Sequence, residues 1–446
     1  MPNQSYSVIS KNKIGSFDKT IKVDSDKSIS IRAFLISSIS QGISQINNVL
    51  ESEDVFSTIK CLKKLGVKIK KIKRNEYKIF GKGLGSLYTK NNTLLDCGNS
   101  GTLARLLIGI LSSTPDIKVT ITGDKSLKKR NMSKLIDLMC RFGASFDKNK
   151  NYFPLKMISS SIPLGINYES GFSAQLKSAV ILAGLNSFGF TTILEKKENQ
   201  SRNHTENLLI TSPEVLKRKK NEIKIIGKNI LNPLKVFVPG DPSSAAFFTA
   251  ITLFSKNSKI RIKNVCLNPR RIGFYILLKK HGAKINFKNK RIINNEIVGD
   301  IFVSSSNLKP INASAKYYPS TTDEYVILFV CASMISGISV FRGISELSNK
   351  ESSRAFEMKK ILNQVGIKCN VKLNEMKIYG MKKTKNINTV IKVKKLNDHR
   401  ICMATMCLSL ITGIKSNIKN FETVDTSSPS FLKIIKSLGG RYEIKK

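Results

Sequence analysis

Six segments of this chain are apolar on nearly every face of the helix each would form, and that constrains the fold more than any other feature. They are "DKSISIRAFLISSISQG", "GNSGTLARLLIGILSS", "SAQLKSAVILAGLNSFG", "GDPSSAAFFTAITLFSK", "TTDEYVILFVCASMISG" and "NDHRICMATMCLSLITG". Each opens with Asp, Asn, Ser or Gly near a capping position, then runs through Ala, Leu, Ile and Met. Such a helix is stable only where other structure covers it all round, so the chain must wrap further layers about six buried helices.

A second helix type alternates with the first. It is amphipathic, ends at a glycine and leads into a short basic and apolar strand, as in "IKCLKKLGVKIK" (Gly66), "LIDLMCRFGASFD" (Gly143), "FYILLKKHGAKINF" (Gly282), "MKKILNQVGIKCNV" (Gly366) and "FLKIIKSLGGRYEI" (Gly439). Gly after the last turn is a C-cap signal, and the alternating tail reads as a strand. The interval from Gly143 to Gly282 is about double the others, so a sixth copy is expected near residue 210, where "TENLLITSPEVLKRKKNEIKI" has the pattern without the glycine. Two helices and a few strands, six times over, make six α/β units in two domains of three, each enclosing its own buried helices. The boundary is expected near Pro239, in "VFVPGDPSS".

With 446 residues, 41% of them hydrophobic, the chain has the apolar content for such cores. Its formal charge of +44, from 75 Lys and Arg against 31 Asp and Glu, would suit a polyanion partner. The lysines are instead dispersed among Ile and Asn, and Trp is absent, which fits a solvated basic surface of biased composition, then steering of anionic ligands, and nucleic acid last. The N-terminal segment has no apolar core of a signal peptide, and the apolar run "YVILFVCASMISGISVF" is broken by Ser and Gly, so neither export nor anchoring is expected. Eight scattered cysteines without a CxxC pair, and three histidines, read as reduced thiols of a cytoplasmic protein without a metal site.

The starts of the buried helices carry more than caps: Lys27 and Ser28 with Arg32; Asn99, Ser100, Thr102 and Arg105; Ser173, Ala174, Gln175 and Lys177; Asp323 and Glu324; Asp398, His399 and Arg400. A helix N-terminus offers unpaired N–H groups and about half a positive charge, so a cation placed there opposes the macrodipole and implies an anion to meet it. Nearby loops add Lys128, Lys129 and Arg130, then Arg202, then Lys350, Glu351 and Arg354. Arg binds phosphate and carboxylate in a bidentate way, and Asp323, Glu351 and Lys27 could supply acid and base without metal or nucleotide.

The ordered motifs "DKSISIR", "LDCGNSGTLARLL", "TGDKSLKKR", "SAQLKSAVILAGL", "SRNHTE", "PGDPSSAAFF", "KESSR" and "NDHRICMA" resemble the 5-enolpyruvylshikimate-3-phosphate (EPSP) synthase family of enolpyruvyl transferases. The resemblance implies an α/β fold of two similar domains, each of three βαβαββ-type units with buried inner helices (an inside-out α/β barrel), and a substrate cleft between them that closes and expels water. Residues 1–24 plus 240–446 would form one domain and 25–239 the other, the chain crossing twice. The implied reaction is transfer of the enolpyruvyl group of phosphoenolpyruvate to the 5-hydroxyl of shikimate 3-phosphate, on the way to chorismate and the aromatic amino acids, without cofactor or metal.

Carried over residue by residue, the resemblance gives Lys27, Asp323 and Glu351 the proton transfers. Shikimate 3-phosphate would be held by Ser28, Arg32, Ser173, Ala174, Gln175, Arg202, Asp323 and Lys350. Phosphoenolpyruvate would be held by Lys27, Asn99, Gly101, Thr102, Arg130, Gln175, Arg354 and Arg400. A cytoplasmic monomer with small anionic substrates, no nucleic acid and no membrane partner, is implied, as is a target for glyphosate-like inhibitors. The chain departs from the family's pattern at Asp24, Ser25, Ile31, Asn131, Ser353 and Thr426, positions that bear on affinity and inhibitor response. The sister enzyme acting on UDP-N-acetylglucosamine would carry a reactive Cys in a mobile loop, and no such pattern surrounds Cys61, Cys97 or Cys140.

Overall fold

The computed structural model describes residues 5–90, 92–147, 149–196, 200–381, 389–394 and 396–445. The chain divides into two compact units: an inserted unit, Ser25–Val238 with Ile292–Glu296, and a C-terminal unit, Met1–Asp24, Pro239–Arg291 and Ile297–Lys446. The tip of the long hairpin formed by Lys284–Ile293 and Glu296–Ser304 thus belongs to the inserted unit, which periodicity did not signal.

Among the described residues, each unit has three four-stranded sheets. In the inserted unit, Thr93–Asp96 runs parallel to Lys118–Thr122 with the inner helix Gly101–Ser112 as the crossover. The outer helix Ser133–Arg141 follows, and Ser145–Phe146 and Leu155–Ile158 complete the sheet antiparallel. A parallel pair needs such a crossover, and an antiparallel pair needs only a turn, so this order is βαβαββ.

The sheet of Asn167–Ser170, Phe190–Glu195, Leu216–Lys219 and Glu222–Ile226 and that of Asn312–Ala313, Gly337–Arg342, Lys368–Lys372 and Glu375–Gly380 repeat this order in sequence, whereas the remaining three take one strand from a distant part of the chain. Lys235–Phe237, late in the inserted unit, supplies the parallel strand for Gln41–Asn47. Ser7–Ser10 sits between Ser416–Ile418 and Tyr442–Lys445 in the last sheet of the C-terminal unit. Asp18–Ile21 lies parallel to Lys259–Cys266, so the whole inserted unit interrupts one βαβ step of the C-terminal unit.

The inner helices are Lys27–Ile39, Gly101–Ser112, Ala174–Gly184, Pro242–Phe254, Tyr325–Ser333 and His399–Thr412. All nine residues of Tyr325–Ser333 are buried, as the apolar-all-round pattern requires. Side-chain caps come from Asp26, Ser100, Ser173, Asp241 and Asp398. Glu324 makes no such cap at Tyr325–Ser333; a short helix, Tyr318–Thr321, leads into that start.

The outer helix Glu53–Lys64 buries one stripe, including Val55, Ile59 and Leu62; it ends at Gly66 and its relatives at Gly143, Gly282, Gly366 and Gly439, all with positive φ. The sixth copy is His204–Leu209, followed by the strand Leu216–Lys219. It is short and buried throughout, because His204 and Glu206 face ionic partners inside the unit and not solvent. Outward sheet faces account for part of the basic composition: the Lys224 ammonium lies 3.7 Å from the Phe190 ring centroid, and Lys68 and Lys368 cover Phe80 and Tyr379 in the same way. Among the described residues, no helix is long and apolar enough to cross a membrane.

Candidate functional site

In the inserted unit, Lys27 is the first residue of its helix, and its ammonium lies 2.9 Å from the Asp54 carboxylate. Asp54 is buried in the first turn of the outer helix Glu53–Lys64. The cation at this helix start therefore meets an anion of the protein itself. Sequence reasoning missed Asp54, because an acid in a first helical turn reads as an ordinary dipole partner.

Arg32 is buried one turn on. Its Nε donates to Thr205 Oγ1 at 2.9 Å, one terminal nitrogen to Ser178 Oγ at 3.1 Å, and the other to the Ser28 carbonyl at 3.1 Å. Thr205 follows Arg202 by three residues, so the "SRNHTE" segment is fixed against the first inner helix. Arg202 itself is half-buried, as is Ser28.

Asn99, Gly101, Thr102, Arg130 and Gln175 are linked in two chains. The Asn99 side-chain oxygen accepts from Arg130 Nη2 at 2.8 Å, and its amide nitrogen donates to Asp124 at 2.7 Å. Gln175 donates to Thr102 Oγ1 at 2.9 Å and accepts from Arg105 at 2.8 Å. A Cβ on Gly101 would stand 2.6 Å from Arg130 Nη1 and 2.8 Å from Arg105 Nη1, so any other residue here would make both guanidiniums shift. Ser173 caps the helix that carries Ala174 and Gln175.

Two groups of cations singled out in the sequence lie elsewhere. Lys177 is wholly buried, 2.7 Å from both Glu195 and Glu206, and is an internal ion cluster. Lys128 and Lys129 are solvent-exposed.

In the C-terminal unit, Arg354 starts the outer helix Arg354–Gln364 and is 1% exposed. Its guanidinium reaches Asp398 at 3.1 Å, Glu351 at 2.5 Å and Asp323 at 3.7 Å. Burial alone would weaken its positive charge, but the three carboxylates outweigh that and push its pKa up. Asp323 also lies 3.7 Å from Arg400, so one carboxylate stands between two guanidiniums. Lys350 precedes Glu351 and is half-buried.

Asp398, 0% exposed, organises this group. It caps the helix His399–Thr412 through the Arg400 N–H, and accepts from Ser352 Oγ at 2.7 Å as well as from Arg354. Sequence analysis singles it out with His399 and Arg400, and the structure adds Arg354 and Ser352 as its partners.

At the departures, Asp24 accepts from Ser428 Oγ at 2.8 Å, Ser430 Oγ at 2.7 Å and the Ser430 N–H at 3.1 Å, on one oxygen. Ile31 is fully buried, Asn131 accepts from the Ser133 N–H, Ser353 precedes Arg354 without a side-chain cap bond, and Thr426 donates to the Thr423 carbonyl. Among the described residues, no cluster of His, Cys, Asp and Glu has the makings of a metal site.

Comparison with known proteins gives a consistent family. The family model described as EPSP synthase (3-phosphoshikimate 1-carboxyvinyltransferase) matches residues 11–435. A 3-phosphoshikimate 1-carboxyvinyltransferase of Thermoanaerobacter sp. (strain X514) is 39% identical over 420 residues, spanning 94% of this chain and 97% of the relative. One from Sulfurihydrogenibium sp. (strain YO3AOP1) is 36% identical over 433 residues, spanning 96% and 98%. The solved EPSP synthase of Acinetobacter baumannii superposes with a TM-score of 0.85 at 31% identity, covering 99% of this chain and all of that one. The enolpyruvyl transferase NikO of Streptomyces tendae, at 11% identity and a TM-score of 0.77, shares the fold.

Proposed function

The chain belongs to the EPSP synthase family, and from that premise we propose that it transfers the carboxyvinyl group of phosphoenolpyruvate to the 5-hydroxyl of shikimate 3-phosphate, releasing phosphate. The observation that carries the reading is Asp323, an acid among cations at 3.7 Å from both Arg354 and Arg400, with Glu351 at the other terminal nitrogen of Arg354. That group offers two guanidiniums for a carboxylate and a phosphate, beside two carboxylates able to move protons.

In the addition step the 5-oxygen bonds to C2 of phosphoenolpyruvate as its proton passes to Asp323, and the methylene carbon takes a proton to become a methyl group. In the elimination step the bond from C2 to the phosphate oxygen breaks and a methyl proton leaves, restoring the vinyl ether. Lys27 and Glu351 serve these two transfers at carbon, and Asp54 holds the Lys27 ammonium in place.

Ser28, Arg32, Ser173, Ala174, Gln175, Arg202 and Lys350 bind shikimate 3-phosphate with Asp323. Lys27, Asn99, Gly101, Thr102, Arg130, Gln175, Arg354 and Arg400 bind phosphoenolpyruvate. The geometry in support is that Arg32 and Arg130 are each held by named partners, so little side-chain entropy is lost when an anion arrives.

The protein works as a cytoplasmic monomer, a setting that suits the eight free cysteines, and glyphosate-like anions compete with phosphoenolpyruvate. Incubation of the purified protein with both substrates, followed by mass spectrometry for the carboxyvinyl ether, tests the reading. Its absence, with phosphate still released, would indicate a hydrolase instead.

A further inference from the structure

We propose that Asp124 is a positioning residue for phosphoenolpyruvate, acting through Asn99 on Arg130; this rests on the reading of Arg130 as a phosphoenolpyruvate ligand. Asp124 touches both things that present the guanidinium. Its Oδ2 accepts from Asn99 Nδ2 at 2.7 Å, and its Oδ1 accepts from the Leu127 N–H at 2.7 Å, at the start of the single turn Leu127–Lys129 that Arg130 closes. Its own N–H donates to the Gly98 carbonyl at 2.9 Å, which ties the turn to the loop ahead of Gly101.

The chemistry of the groups fixes an orientation. A carboxylate only accepts, so the NH2 of Asn99 must face Asp124, and the Asn99 oxygen must then face Arg130, whose Nη2 is 2.8 Å away. With a neutral amide in place of Asp124, the Asn99 side chain could turn over and aim its NH2 at a cation. Arg130 Nη2 would then lose the shorter of its two bonds to Asn99, the other being to the backbone carbonyl at 3.4 Å, and its planar fork would be held less firmly beside Gly101.

The sign of the effect separates positioning from simple charge. Asp124 is a negative group close to a proposed anion site, so on field alone its neutralisation should tighten phosphoenolpyruvate binding. Acting through Asn99, its neutralisation should weaken it.

The test measures KM for each substrate by phosphate release in Asp124→Asn, Asp124→Ser, Asn99→Ala, Asp124→Asn with Asn99→Ala, and Arg130→Ala. Asp124→Asn should raise KM for phosphoenolpyruvate about tenfold, the weight of one charge-assisted hydrogen bond, with shikimate 3-phosphate within about twofold. In the Asn99→Ala background the same change should add less than about twofold, since its route is gone. Asp124→Ser keeps a hydroxyl acceptor for the Leu127 N–H, and replaces Asp124→Asn if that variant does not fold. Unchanged or lowered KM for phosphoenolpyruvate, equal shifts for both substrates, or full additivity with Asn99→Ala would overturn the inference. An Arg130→Ala protein with unaltered phosphoenolpyruvate KM would instead remove the site reading on which it stands.

Discussion

Asp398 and Arg354 form an ion pair of 3.1 Å in which neither side chain is more than 1% exposed. A pair this deep is set before any ligand arrives, and it orients the face of the guanidinium turned to Asp323 and Glu351. Asp398→Asn removes the charge and leaves a buried arginine partly uncompensated. A loss of about 3–5 kcal/mol in unfolding free energy is expected from denaturant titration. The folded fraction should show a phosphoenolpyruvate KM raised at least about tenfold, because the partner that orients Arg354 is weakened.

Asp54→Ala frees the Lys27 ammonium from its partner at 2.9 Å. If Lys27 acts in proton transfer, its placement enters the chemical step, so kcat should fall by about tenfold to a hundredfold. Steady-state kinetics showing a change in KM alone would make Lys27 a binding residue only.

Lys177→Met tests the internal ion cluster of Lys177, Glu195 and Glu206. Glu195 and Glu206 would face each other at 0% exposure without the cation that now sits 2.7 Å from each. An unfolding free energy lower by about 3–5 kcal/mol is expected. The triple change Lys177→Met, Glu195→Leu and Glu206→Leu should recover most of it, as a well-packed apolar replacement does.

The fold was legible where periodicity is strong. The all-round apolar helices could only be buried, and the glycines from Gly66 to Gly439 mark the ends of outer helices by a conformation few other residues accept. The exchanged strands were not, since Ser7–Ser10 and Lys235–Phe237 are too short to announce their partners. Within the candidate site, cations stood out against the macrodipole, and Asp398 stood out beside His399 and Arg400, whereas Asp54 and Asp124 sit where an acid is ordinary and so carried no signal until their partners were seen. Lys177 stood out for the same reason as Lys27, and only the structure separates them, by what each ammonium meets.

Asp24 gives a pH prediction at one of the departures from the family pattern. Burial raises its carboxyl pKa, and the hydrogen bonds from Ser430 and Ser428 offset that only in part. The folded state therefore binds the Asp24 proton more tightly than the unfolded state. The contribution of this group is fully present below the ordinary carboxylate pKa and is lost as pH rises through the raised folded value. Between those two pH values the stability of the wild type minus that of Asp24→Asn should fall with rising pH, measured as paired thermal or urea unfolding curves. A difference that rises with pH there would mean that the hydrogen bonds outweigh burial.

The most direct measurement is phosphate release from phosphoenolpyruvate by the purified protein, with and without shikimate 3-phosphate, beside Asp323→Ala. Asp323 spans Arg354 and Arg400, and it is the group assigned to the 5-hydroxyl proton. Release that requires shikimate 3-phosphate and falls by about a thousandfold in Asp323→Ala is expected. Release that ignores shikimate 3-phosphate, or persists undiminished in the variant, would contradict the assignment of this chemistry to Asp323.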